Sequence, residues 1–273
     1  MGELRAAVAI ARKDLRTWTR YPISAAGQVF VPLYQGLIPA FLLGATFFVG
    51  GEAVGLQESA GTSDLAGFLF LGGIISGMVA AAFWGMAFSL RNEMDMGTLE
   101  PSWLTPTRRE TFVLGRALAS LVTFSISQVF LIIVTYWLFH PRFLPTIWQA
   151  LPAVLLAGVA VVGVGYLVTA GVMLFKEANF FVDTTNFLFG QASGVSYPIT
   201  VLPTVMRAVA LALPTTYAMD LMRHSAVGTT SLLDPVPELG VLAVLALLTY
   251  PVGRVAFARS DRRMRRQGTL GQH

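Results

Sequence analysis

Cysteine is absent from the 273 residues, so no disulfide and no thiolate metal site can form. Lysine occurs only at 13 and 176, and neither position follows a glycine-rich turn. A phosphate-binding loop of the Gly-x-x-x-x-Gly-Lys-Ser/Thr type is therefore missing, and the chain does not bind ATP by that route. The metalloprotease pattern His-Glu-x-x-His and the nucleophile elbow Gly-x-Ser-x-Gly are missing as well. His140, His224 and His273 are scattered, which leaves no zinc constellation. Charge is scarce: Asp, Glu, Lys and Arg make up 12% of the chain, against about 25% in a soluble domain. No ionisable residue falls mid-span in clearly apolar surroundings, which weakens a proton-coupled carrier built on a carboxylate relay.

Apolar residues, by contrast, make up 55% of the chain. Several runs exceed the ~18–20 residues that a helix needs to cross the hydrocarbon core. The composition predicts an all-α integral membrane protein, read as a single domain over 1–273. Its net charge of +4 comes from basic residues near the predicted membrane boundaries, a pattern suited to anionic lipid rather than nucleic acid.

Residues 2–20 predict an amphipathic interfacial helix. Leu4, Val8, Ala11, Leu15 and Trp18 recur at helical spacing, while Arg5, Arg12, Lys13, Arg16 and Arg20 fall opposite. A solvated helix packed on a soluble partner is the other reading. Trp18 and Tyr21, placed where aromatic belts form, favour the membrane surface. The first long apolar run starts after Pro22, is too long for a signal-peptide core and has no small-x-small cleavage site, so it is expected to be retained.

Six transmembrane helices are predicted, over 23–49, 65–90, 108–139, 148–175, 180–201 and 239–256. In the first, Gln28, Pro32, Gln35 and Pro39 share a face that must meet protein or water. That face is a kinked packing surface or a substrate contact. In the second, Gly72, Gly73, Ser76, Gly77 and the alanines at 80–82 permit close packing. Thr107 with Glu110 fits a capping box at the start of the third. Along the fifth, Asp183, Asn186, Gly190, Ser193 and Tyr197 form a polar or small stripe, either a helix–helix interface or a water path. The two can coincide at a dimer seam.

Pro198 and Pro203 then break the helix. Thr204–Leu213 and Pro214–Arg223 predict two short helices, read as a re-entrant pair over 204–223, with Asp220 and Arg223 spaced to pair at i,i+3. Arg259, Arg262, Arg263, Arg265 and Arg266 make the 257–273 tail basic. The N-terminal helix, the 91–107 and 176–179 loops and this tail hold most of the Arg and Lys. The positive-inside rule therefore puts both termini in the cytoplasm.

The polar island between the second and third spans is the densest mixture of acid, base and turn residues. If 91–100 is helical, Glu93, Gly97 and Glu100 lie on one side, and Pro101 and Pro106 bracket a turn carrying Trp103 and Leu104. An acidic helix beside an apolar knob can plug into a cleft on a soluble partner. An ordinary solvated loop fits the same spacing.

The run Glu93, Met94, Asp95, Met96, Gly97, Thr98, Leu99, Glu100, then Leu104-Thr105-Pro106 and Leu114-Gly115-Arg116, resembles the cytoplasmic stretch of type-2 ABC exporter permeases. There the pattern is Glu-x-x-x-Gly-Thr-Leu-Glu, a Thr/Ser-Pro turn and Leu-Gly-Lys, so Arg116 stands in place of lysine. Tyr197-Pro198, Leu202-Pro203 and Leu213 to Tyr217, followed by Asp220 and Arg223, resemble a second family stretch. Thr215 replaces its usual leucine and Asp220 its usual glutamate. The resemblance covers essentially the whole chain.

The resemblance implies two permeases over two separately encoded ATPase subunits, which would bind ATP and magnesium while this chain binds no cofactor. Glu93, Asp95, Gly97, Thr98, Leu99, Glu100 and Trp103 would form the coupling helix and turn of 91–107, with Lys176 and Glu177 a second contact. Gln28, Gln35, Asn186, Ser193 and Tyr197 would face the dimer seam or the translocation path. Pro203, Pro214, Tyr217, Asp220 and Arg223 would belong to the re-entrant helices. A bacterial inner-membrane location follows from the same resemblance. Spans rich in Phe and Met suit an amphipathic drug or lipid-like substrate. Polysaccharide export and a non-transporting membrane anchor or sensor are the alternatives.

Overall fold

The computed structural model describes residues 2–31, 33, 38, 41–42, 48–49, 52–97, 107–175 and 178–267. They are almost wholly helical. α1 (Gly2–Arg20) and α2 (Pro22–Val31) come first. A two-residue antiparallel pair, β1 (Phe48–Val49) with β2 (Glu52–Ala53), precedes the short α3 (Val54–Ala60). Then follow α4 (Leu65–Phe83), a π-helical turn Trp84–Phe88 and α5 (Ser89–Asp95), forming one rod. α6 (Arg109–Phe139), a 3-10 turn Pro145–Ala150 and α7 (Leu151–Phe175) come next. α8 (Ala178–Phe187) continues through a π-helical turn to Ala192. After a 3-10 turn, Ile199–Val201, the chain ends in α9 (Thr204–Leu211), α10 (Pro214–Val227) and α11 (Pro235–Gln267).

Local chemistry sets these ends. Asp64 caps α4 by accepting from the Gly67 amide at 2.8 Å, and its other oxygen accepts from Arg142 N at 2.8 Å. Pro214 stands in the first turn of α10, where its missing N–H costs nothing, and Gly228 closes that helix at φ 73°. The capping box expected at Thr107 and Glu110 does not form. α6 begins at Arg109 without a local side-chain cap. Glu3 of α1 caps it from a distance, accepting from Arg108 N at 3.4 Å and from the Thr111 hydroxyl. Glu110 is drawn instead to Arg254 on α11.

Four helices among the described residues are long and apolar enough to cross a membrane: Leu65–Met94, Arg109–Phe139, Pro145–Phe175 and Pro235–Met264. At about 1.5 Å per residue each exceeds the ~30 Å hydrocarbon core. Of the first expected span, 23–49, α2 is described, whereas Pro32, Gln35 and Pro39 lie outside the described residues. The fifth expected span, 180–201, is helical only to Ala192. Gly194 at φ 80° turns the chain there, so the helical run covers roughly 22 Å. The expected 204–223 pair is present as α9 and α10, with α10 running on to Val227.

The main core gathers α4, α7 and α10 around Phe68, Ile75, Phe83, Val161 and Met219. A second cluster, with Met86, Leu90, Met94, Tyr166 and Phe257, lies at the α1 end of the bundle. α7 and α11 make the largest helix–helix contact. They cross at Gly163 and Gly253, where a Cβ on either residue would strike the other helix's backbone. Glycine at both positions is what permits that approach.

Candidate functional site

Two features adjoin each other at the α1 end: an ionic clamp and a groove. The clamp is built on the first two turns of α6. Arg116 hydrogen-bonds Glu93 of α5 and lies 3.8 Å from Asp14 of α1, while Lys13 adds a 3.8 Å contact to Glu93. Arg109 pairs with Asp261 of α11 at 2.9 Å. The start of α6 is thus fastened to α1, α5 and α11 by opposite charges. Helix α1 docks against α6 through Ala7, Ile10 and Ala11, and the Ala7 carbonyl and Ile10 side chain close directly on Gly115. Leu4 and Val8 remain 72% and 54% exposed, an apolar face left for another environment.

This geometry revises the expected docking face. α5 stops at Asp95, and Gly97 takes the left-handed conformation at φ 66°, so 91–100 is not one continuous helix. Glu93 is only 9% exposed and is turned into the chain, toward Arg116. Its acid joins the α4–α5 rod to α6. Thr98, Leu99, Glu100, Trp103, Lys176 and Glu177 lie outside the described residues.

The groove runs between α1, α2, the α4–α5 rod, α6 and α8, with about 760 Å³ of internal space. One end is polar, with Asp14, Asn92 and Arg116. The walls carry small residues, Ala80, Ala81 and Ala119, and exposed aromatics, Trp84 and Phe88, whose rings are 4.9 Å apart. Gln28 lines it and accepts the Trp18 indole N–H at 3.2 Å. Asn186 lines it from α8, and its Oδ1 has no hydrogen-bond partner among the described residues. Pockets of this kind, mostly apolar with a few polar groups, are where small molecules bind.

The stripe expected along 183–197 is divided. Asn186 faces the groove, but Ser193 is buried against Thr215 at 2.5 Å. Tyr197 lies past the Gly194 turn and donates to the Gln191 carbonyl. Helical spacing does not extend through a left-handed residue, so one face cannot hold all five positions.

At the opposite end of the bundle, Arg223 is enclosed. It donates to the carbonyls of Phe68, Gly194 and Val195, at 3.1, 2.8 and 2.5 Å, and its guanidinium stacks 3.5 Å from the Phe68 ring. The expected pair with Asp220 does not close, because three carbonyls take the donors first. Asp220 accepts instead from Leu232 N at 2.7 Å. Tyr217 donates to Leu211 O at 2.7 Å and ties α10 to α9. Pro203 caps α9 in an extended conformation. The sequence marked Arg223 but not its partners, which are backbone carbonyls that carry no residue signature.

An amphipathic first helix and four helices long and apolar enough to cross a membrane suit a membrane protein. Residues 5–227 match the family model described as ABC-2 type transporter. The chain belongs to the ABC-2 type transporter family. It is also similar to Nodulation protein J of Rhizobium leguminosarum bv. trifolii, at 25% identity over 246 residues, which covers 89% of each chain. The protein is therefore a multi-pass membrane subunit of an ABC transporter. The ABC-2 match takes in α1, the clamp and groove residues on α2 to α8, and α9 and α10, but not α11.

Proposed function

We propose that this ABC-2 subunit is an exporter permease that carries an amphipathic, drug- or lipid-like molecule. The observation that carries this reading is the groove. Its polar end at Asp14, Asn92 and Arg116 continues into walls of alanine and aromatic side chains, so a headgroup and an apolar body each find a matching surface. A separate ATPase subunit, holding ATP and magnesium, takes hold beneath the 91–107 segment. Closure of the ATPase moves the start of α6, and the clamp passes that motion to α1, α5 and α11 together. Two permease copies sit side by side in a bacterial inner membrane, with both termini on the ATPase side.

A second reading has one specific observation in its favour. The amides of Gln28, Asn92 and Asn186, with the Trp84 and Trp18 rings, would also suit sugar hydroxyls and stacking, so a glycoconjugate fits the same groove. A non-transporting anchor would keep the ATPase contact and lose the flux. Co-reconstitution with the partner ATPase in vesicles tests all three. The exporter reading expects Trp84→Ala to reduce flux of a fluorescent amphipathic dye and its stimulation of ATP hydrolysis, with complex assembly unchanged. Dye flux indistinguishable from protein-free vesicles in the wild-type complex would refute it.

A further inference from the structure

Away from the clamp and groove, two acidic side chains from different helices meet inside the protein. Glu238, in the first turn of α11, is 0% exposed. Its Oε2 lies 3.0 Å from the Ser231 oxygen, and its Oε1 meets no N–H or O–H donor among the described residues. Asp220, in the middle of α10, accepts from Leu232 N at 2.7 Å and lies 3.4 Å from the same Ser231 oxygen, whose one hydrogen has its shortest acceptor in Leu233 O at 2.6 Å. The two carboxyl groups thus flank one hydroxyl, that of Ser231.

Two enclosed carboxylates on one hydroxyl disfavour each other's ionised form. With the Ser231 hydrogen given to Leu233 O, its oxygen can only accept from a carboxyl, and neither carboxylate has a hydrogen unless protonated. Among the described residues the surroundings do not offer a second cation. On α10, Arg223 supplies one positive charge, already held by three carbonyls. Tyr217 is neutral and bonded to Leu211 O, and the His224 ring is bonded to Thr229 O at 2.7 Å. In the loop before α11, Asp234 is exposed, and Arg207 on α9 is exposed too. At the α4 end, Asp64 is engaged with Gly67 N and Arg142 N. The rest of α4, the 3-10 turn Pro145–Ala150 and residues 151–165 of α7 carry no titratable side chain. One arginine balances one carboxylate, and a proton neutralises the other.

We propose that Asp220 and Glu238 form a proton-binding site, sharing one proton that latches the middle of α10 to the start of α11. With the proton in place, one of the two charges is removed and a carboxyl O–H is available to the Ser231 oxygen. The 228–234 loop, tied to both carboxyls through Ser231 and to Asp220 through the Leu232 amide, is then held across the two helices. Beside Asp220 lies a small cavity of about 40 Å³, lined also by Ser193, Thr216 and Thr229. It has room for roughly one or two waters, which gives the proton a polar way in and out. Loss of the proton leaves two like charges on either side of Ser231, and the latch opens as pH rises. The site stands apart from the groove and does not depend on what the chain carries.

Infrared difference spectroscopy on the full chain in lipid vesicles tests this directly. The carbonyl stretch of a protonated carboxyl is expected at neutral pH. It should vanish in Glu238→Gln and in Asp220→Asn, persist in Asp234→Asn, and titrate away at alkaline pH. No such band in the wild type, or a band that survives in both amide variants, overturns the site. Hydrogen exchange tests the latch. Protection of the Leu232 amide should fall more steeply with alkaline pH in the wild type than in Glu238→Gln, which has no proton to lose. Equal pH responses in the two proteins overturn the latch.

Discussion

Arg116 on α6 is hydrogen-bonded to Glu93 on α5, 23 residues earlier, and both side chains are nearly enclosed. That bond joins the end of the α4–α5 rod to the start of the next long helix, across the 91–107 segment. Arg116→Ala leaves Glu93 with the more distant Lys13, 3.8 Å away. We expect a loss on the order of 3 kcal/mol, because an enclosed carboxylate loses its closest partner. Thermal unfolding in detergent, with a double-mutant cycle through Glu93→Gln, measures it. Arg116→Lys should lose less, since it retains one charge contact but not the fork that reaches both Glu93 and Asp14.

Gly253→Leu should separate α7 from α11. A side chain there meets the Gly163 backbone, which cannot yield as a flexible side chain would. Overpacking of this kind costs about 1–3 kcal/mol or more. A lower unfolding midpoint is the expected result, and an unchanged midpoint would show that the helices do not cross so closely.

Arg223→Met should cost more than a surface arginine change. It removes the side-chain donors of the Gly194 and Val195 carbonyls, at about 1–3 kcal/mol for each group left unsatisfied, and a second donor to the helical Phe68 carbonyl. Arg223→Lys should rescue only in part, because an ammonium lacks the planar fork. Folded yield after membrane extraction and unfolding midpoints compare the three proteins.

The absence of natural cysteine makes each introduced thiol unique. Under the proposed paired arrangement, Asn186→Cys should cross-link between copies, whereas Ser193→Cys should not, because Ser193 is buried against Thr215. Cross-linking at 193 with none at 186 would reverse the assignment of the seam. Glu100→Arg should reduce ATPase co-purification while the permease still inserts. Normal co-purification with normal transport would count against a coupling role for that residue.

Apolar run length and the proline and glycine stops made much of the helix order legible. Pro203, Pro214 and Gly228 punctuate α9 and α10 because each restricts or permits backbone angles locally. Distant pairings were not legible. Glu3 reads as one more charge on an amphipathic helix, yet it caps α6 across 105 residues. Glu93 reads as part of an acidic face, yet Arg116 turns it inward. The 183–197 stripe failed at Gly194, since spacing arguments assume a helix that the turn ends.

The Glu3 contact also bears on the order in which the chain is made. At about 5–20 residues per second, roughly 5–20 s separate the synthesis of Glu3 from that of Thr111. Asp261, the partner of Arg109, follows that arginine by 152 residues. During the first interval α1 has neither α6 to lie on nor a helix start to cap. Its exposed Leu4 and Val8 are the kind of apolar face that an apolar surface can shield until α6 arrives.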